Sequence, residues 1–147
     1  MKENVLETLK AMGFEIEELS FGYGFEYEDR HYLFLPSDHD ESFLSIALPA
    51  VLDIDDEENA GNYRVMDRLN SGVKYVKATR IHDSVWLFYE RELLGNEDME
   101  QLLTSMIMAL DAAINILHGS MNDDDDDDDD SSDDGEEIVD TDAEEVA

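Results

Sequence analysis

A chain of 147 residues with 40 Asp and Glu against 9 Lys and Arg carries a formal net charge of −31. That length suits one ordinary domain, and a field of that sign repels nucleic-acid backbones and anionic membrane surfaces. The absence of Cys excludes disulfides and thiolate metal sites.

Acidic residues interrupt the start, Met1-Lys2-Glu3-Asn4, and no apolar h-region follows, so a secretory signal is not expected. No stretch reads as the ~18 apolar residues that span a bilayer. A cytoplasmic location is the simplest expectation. Val5, Leu6, Leu9 and Met12 share one helical face and Gly13 is a stop, which predicts a helix over 2–12. Residues 14–49 read as a β-meander of three strands. Phe14, Ile16 and then Tyr23, Phe25 and Tyr27 alternate with polar residues, Asp29-Arg30 separates them from the run His31 to Leu35, and 36–41 is a turn cluster. Ser42 to Leu48 is the next strand, with Pro49 expected to end it.

The acidic run 53–58 suits a helix N-terminus. Tyr63, Met66 and Leu69 follow at helical spacing, giving a second helix over about 57–70 closed by Ser71-Gly72. Val73 to Arg80 and Ser84 to Arg91 read as a hairpin about His82-Asp83. Gly95-Asn96 opens a long helix with Asn96 as its expected N-cap, ending near His118 at Gly119. The expected fold is therefore α+β, an antiparallel five-stranded sheet with three helices in the order αβββαββα, over residues 1–121.

From Asn122 the character changes. Residues 123–130 are all Asp, and 122–147 hold 16 acids with no Lys or Arg, leaving 24 acids against 9 bases in the rest. Like charges this dense, with little to bury, predict a disordered acidic tail. Two roles stay open for it: a solubilising tail, or a polyanion that mimics nucleic acid or weakly buffers cations. An EF-hand frame does not fit, because placing Gly135 at its sixth position puts Thr141 where a bidentate Glu is needed.

The segments Val65-Met66-Asp67-Arg68-Leu69-Asn70, Val73-Lys74-Tyr75-Val76-Lys77 and Val85-Trp86-Leu87, with the acid-led final helix, resemble the YbjN-like family. Its members are candidate bacterial sensory transduction regulators with a fold similar to type III secretion chaperones. Asp67 and Asn70 stand where that family often has Asn-x-x-Asn. The resemblance spans about residues 2–120 and implies a bacterial intracellular domain without catalytic residues; it transfers no site.

The residues themselves offer no catalytic set. His31, His39, His82 and His118 have no metal-ligand spacing, and Asp38-His39-Asp40-Glu41 lies in a turn. No Gly-x-Ser-x-Gly is present, and Gly22-Tyr23-Gly24 lacks the Lys and helix of a phosphate loop. No cofactor or metal is expected. Two surfaces attract attention instead. On the long helix, Met108, Ala112 and Ile116 form a second row beside the core stripe of Leu102, Leu103, Met106, Leu110 and Leu117. That row is either further core or a docking or weak homodimer surface. Trp86 is out of phase with Val85 and Leu87, so it faces the other side of its strand, with Tyr75 and Lys77 expected beside it. It is either an exposed binding face or packed beneath a helix or the Lys77 stem. The expected function is a non-enzymatic protein-interaction module, a regulator or chaperone-like adaptor; the alternative is an acidic effector acting through its tail.

Overall fold

The computed structural model describes residues 1–54 and 59–126, with backbone alone at 59–60 and 120–126. Helix α1 (Lys2–Ala11) buries Val5 and Leu9 and ends in a Schellman motif. Gly13 supplies the left-handed residue at φ 103°, its N–H donates to Lys10 O at 3.0 Å, and Phe14 N–H donates to Leu9 O at 3.1 Å. The expected stop at Gly13 is therefore the observed one.

Strands β1 (Glu17–Leu19), β2 (Gly22–Tyr27), β3 (Arg30–Phe34) and β4 (Phe43–Asp53) form an antiparallel meander. The sheet has six strands, not the expected five. The addition is β1, whose Glu-Glu-Leu carries no strand pattern and is strand only because Glu17, Glu18 and Leu19 pair with Gly24, Tyr23 and Gly22. Glu28 and Asp29, at φ 55° and 65°, make the two-residue β2–β3 turn.

Pro49 does not end β4. The ladder with β6 (Ser84–Glu92) pairs Leu48 with Leu87, then resumes with Leu52 opposite Val85. Pro49 and Ala50 sit in the bulge between, where a missing N–H costs no ladder bond, and Ala50 takes φ 50°.

Helix α2 (Asn59–Gly72) buries Val65, Met66 and Leu69, and the part of the acidic run at 55–58 lies outside the described residues. Strand β5 (Val76–Ile81) begins three residues later than expected, because Tyr75 at φ 71° is in a turn. Helix α3 (Met99–Asp126) departs from expectation at both ends. Its cap is Asp98, whose Oδ1 accepts from Gln101 N–H at 3.2 Å, so Asn96 lies outside it. Gly119 does not stop it. A helical Gly costs only about 1 kcal/mol, and Gly119 lacks the positive φ of a terminating glycine. The first five residues of the expected tail, 122–126, are thus helical, and 127–147 lie outside the described residues.

The strand order is β1-β2-β3-β4-β6-β5, antiparallel throughout. All three helices serve one face. Helix α3 lies centrally, with Leu103, Met106, Leu110, Ala113 and Leu117 buried against Phe34, Ile46, Leu48, Val85 and Leu87. Each such Leu contributes about 1.5–3 kcal/mol by burial. By length and composition Met99–Gly119 could cross a bilayer, contrary to the sequence reading, but its apolar stripe is the one seated on the sheet.

Asn70 joins α2 to β5. Its Nδ2 donates to Ala78 O at 3.1 Å and its Oδ1 accepts from Ala78 N–H at 2.7 Å. A carboxamide matches one peptide unit in both directions, so this side chain satisfies both backbone groups of a buried residue.

Candidate functional site

The sheet register separates two faces. Phe34, Ile46 and Tyr89 are cross-strand partners on the helix side, so their neighbours along each strand face the other way. One row crosses that other face: Gly24, Leu33, Ala47, Phe88 and Lys77 are successive partners on five strands. Trp86 lies beside it, paired with Thr79 on β5 and opposite the β4 bulge. Leu33 and Ala47 on this face are buried, while Trp86 and Phe88 are half-buried, and none of the four belongs to the core cluster under the helices. The accessible apolar part of this face is therefore the half-buried pair Trp86 and Phe88, without a helix on it among the described residues.

Within that surface, the Trp86 and Phe88 rings stack with centroids 6.0 Å apart at 20°, and Lys77 Nζ lies 5.8 Å from the Phe88 centroid. Glu90 Oε1 pairs with Lys77 Nζ at 3.0 Å, and its Oε2 accepts from Ser45 Oγ at 3.2 Å. Beside β1 lies a groove of about 610 Å³, lined by Glu17, Leu19, Gly24, Glu26, His31 and Leu33 of this face together with the 13–16 segment, Phe25 and Tyr32. His31 Nε2 lies 3.3 Å from Glu26 Oε2, both well exposed.

Trp86 and Lys77 are thus where alternation puts them, and Tyr75 is not. The left-handed backbone at Tyr75 turns its ring out of strand phase and onto Tyr89, at 5.4 Å and 21°, and Tyr89 belongs to the helix side. Tyr75 remains 71% exposed, as a separate aromatic projection.

The second candidate row is also solvent-facing. Met108 is 50% and Ile116 44% exposed, with Ala112 exposed between them. Reading the row as further core is therefore set aside. One flank of it is fixed by the β2–β3 turn. Arg30 Nη1 meets Asp111 Oδ1 at 2.9 Å, Nη2 donates to Asn115 Oδ1 at 3.5 Å, and Tyr27 Oη lies 3.6 Å from Met108 Sδ. Sequence reasoning missed this clamp, since nothing local relates Arg30 to a helix 81 residues away.

Other polar clusters have structural partners. In the 36–41 turn, Ser37 Oγ accepts from the N–H groups of His39 and Asp40, and Asp40 Oδ1 accepts from Ser42 N–H and Oγ. No group of three or more metal-ligating side chains occurs among the described residues. Glu97 locks the approach to α3. Its carboxylate accepts from Leu94 N–H at 2.7 Å and Gly95 N–H at 3.0 Å, and pairs with Arg91 Nη2 at 2.7 Å. The Leu94 bond first, then Gly95 and the Arg91 charge, hold this carboxyl below its ordinary value of 4.5. A depressed folded pKa stabilises above the unfolded value and loses that contribution as pH falls through the folded one. Glu97→Gln is therefore expected to flatten the acid limb of stability measured by urea unfolding below about pH 4.5. An unchanged acid limb would show that the bonds are worth the same to a neutral side chain.

The arrangement defines an α+β domain with a one-sided core, an exposed apolar row on α3 and a half-buried aromatic pair on the opposite face of the sheet. No family model matches the chain, and no curated protein does. Solved structures share its fold, two of them as follows. One is an uncharacterised protein from Methanothermobacter thermautotrophicus, 16% identical, with TM-score 0.55 over 81% of this chain and 97% of the other. The other is YbjN, a candidate transcription regulator from E. coli, 11% identical, with TM-score 0.57 over 82% of this chain and 91% of that one. The chain has the YbjN fold, as its sequence resemblance implied; at these identities the likeness is one of fold alone.

Proposed function

We propose that this chain is a non-enzymatic protein-interaction module, a cytoplasmic regulator or chaperone-like adaptor of bacterial type. The observation that carries the reading is apolar surface left over after the core is complete: Trp86 and Phe88 on one side, Met108 and Ile116 on the other. Its fold neighbour YbjN, a candidate transcription regulator, supports a regulatory setting. With a net charge of −31, regulation would pass through protein contact and not through direct binding to nucleic acid.

The test is partner capture by the full chain and by a variant whose acids at 127–147 become Asn and Gln. Capture that survives neutralisation supports a folded docking surface. Capture that is lost, and that salt weakens in the parent chain, supports the alternative of an acidic effector working through its tail.

The α3 row also supports a weak homodimer. Two chains of this charge repel, so apolar association should strengthen as salt screens them. Met108→Glu with Ile116→Glu is expected to leave the unfolding midpoint within about 0.5 kcal/mol of the parent, since both side chains are exposed. It should also abolish salt-favoured association in sedimentation. A parent chain that stays monomeric at high salt and concentration would end the dimer reading.

A further inference from the structure

We infer that the helix-free face of the sheet docks a basic amphipathic polypeptide segment, one with an apolar stripe flanked by Lys or Arg. This rests on reading the chain as an interaction module and names the chemistry of one partner.

The floor of the face is apolar and preformed. Leu33, Ala47, Trp86 and Phe88 are held by the strand ladder, outside the core cluster. Larger side chains close over Ala47, which is fully buried, so Trp86 and Phe88 stand as the accessible apolar part of the floor, and Gly24 lines the separate groove beside β1. An apolar stripe lying there would remove Trp86 and Phe88 from water, the kind of aromatic anchor that dominates interfaces.

The charges around that floor select the occupant. The register places Glu17, Glu26, Asp53, Glu90 and Glu92 on this face. Against them stand Lys77, already paired with Glu90, and His31, already beside Glu26. A second copy would bring the same acids against themselves. The chain's own segment from Asn122 has no Lys or Arg to answer them. Nucleic acid and anionic lipid carry the wrong sign. A cationic segment instead matches rim to rim while its apolar stripe fills the floor, the complementarity that sets specificity and encounter rate.

Trp86 is the only tryptophan, so its emission reports on this face alone. The full chain would be titrated with a synthetic helical peptide of Leu at i, i+3, i+4 and i+7 with Lys elsewhere, and with the same peptide carrying Glu for Lys. The expected result is a saturable blue shift with the Lys peptide and none with the Glu peptide. Phe88→Ser, a position outside the core, should weaken the Lys peptide roughly tenfold. Glu26→Lys with Glu92→Lys should weaken it and reduce its salt dependence without touching the apolar floor. Calorimetric binding with no Trp86 shift, or with equal affinity in Phe88→Ser, would place the peptide on another acidic surface and overturn the inference. So would equal response to the Glu peptide. If the shift is absent while partner capture depends on Met108 and Ile116, the interaction-module reading stands and this site falls.

Discussion

Asn70→Ala is expected to destabilise the fold by about 2 kcal/mol, seen as a lower urea midpoint at unchanged slope. Two hydrogen bonds to Ala78 disappear, at about 1 kcal/mol each, and Ala78 is itself only 4% exposed. Leaving its N–H and C=O without partners adds to that cost. Two effects oppose it: Ala is the better helix former by about 0.5 kcal/mol, and the exposed position of Asn70 lets water approach. Asn70→Asp separates the two bonds. It keeps an acceptor for Ala78 N–H but turns a carboxylate oxygen toward Ala78 O. That repulsion raises the folded pKa of the new carboxyl, so its deficit should shrink as pH falls and the group protonates. A parent-like midpoint for Asn70→Ala would mean that water replaces both bonds at no cost.

Gly22→Ala should cost a similar amount, about 2 kcal/mol, for a steric reason. A Cβ at Gly22 would lie 2.6 Å from Phe34 O and 3.0 Å from Leu35 Cδ2. The first neighbour is backbone within the sheet and cannot rotate away, so β2 or β3 must move. Gly24 is the internal control, two residues along the same strand. Its added Cβ would find Leu19 Cδ1 at 3.5 Å, an ordinary contact, and Ala there should be neutral or slightly stabilising through the unfolded chain. Equal behaviour of the two variants in denaturant unfolding would show that β2 adjusts freely at Gly22.

Periodicity made the helices and the longer strands legible, because the core-facing positions are apolar at regular intervals. The stripe Leu102, Leu103, Met106, Leu110 and Leu117 was readable for that reason, as was the outward face of Trp86. Three kinds of information were not local. Strand β1 exists through its partner β2, and its own Glu17 and Glu18 argue against strand. Pro49 and Gly119 read as terminators, yet a bulge absorbs one and packing along the preceding turns carries the helix past the other. Tyr75 followed alternation on paper, and a single left-handed residue removed it from the Trp86 face. The site's floor, Trp86 with Phe88, was half visible. Its acidic rim was not, since only the register brings Glu17, Glu26, Asp53 and Glu92 onto one side.

The Asn70 clamp has a meaning beyond stability. The outermost strands of an open sheet offer unpaired backbone groups to any passing strand, the usual route to β-augmentation and edge-to-edge polymerisation. Here one margin is β1, three residues long with two glutamates, too short and too charged to template another chain. The other is β5, where the outward N–H and C=O of Ala78 are already engaged by a side chain that mimics a neighbouring strand. With one margin short and charged and the middle of the other occupied, main-chain pairing is hindered at both. Partners are pushed onto its faces, where side-chain shape and charge, and not the generic backbone, decide who binds.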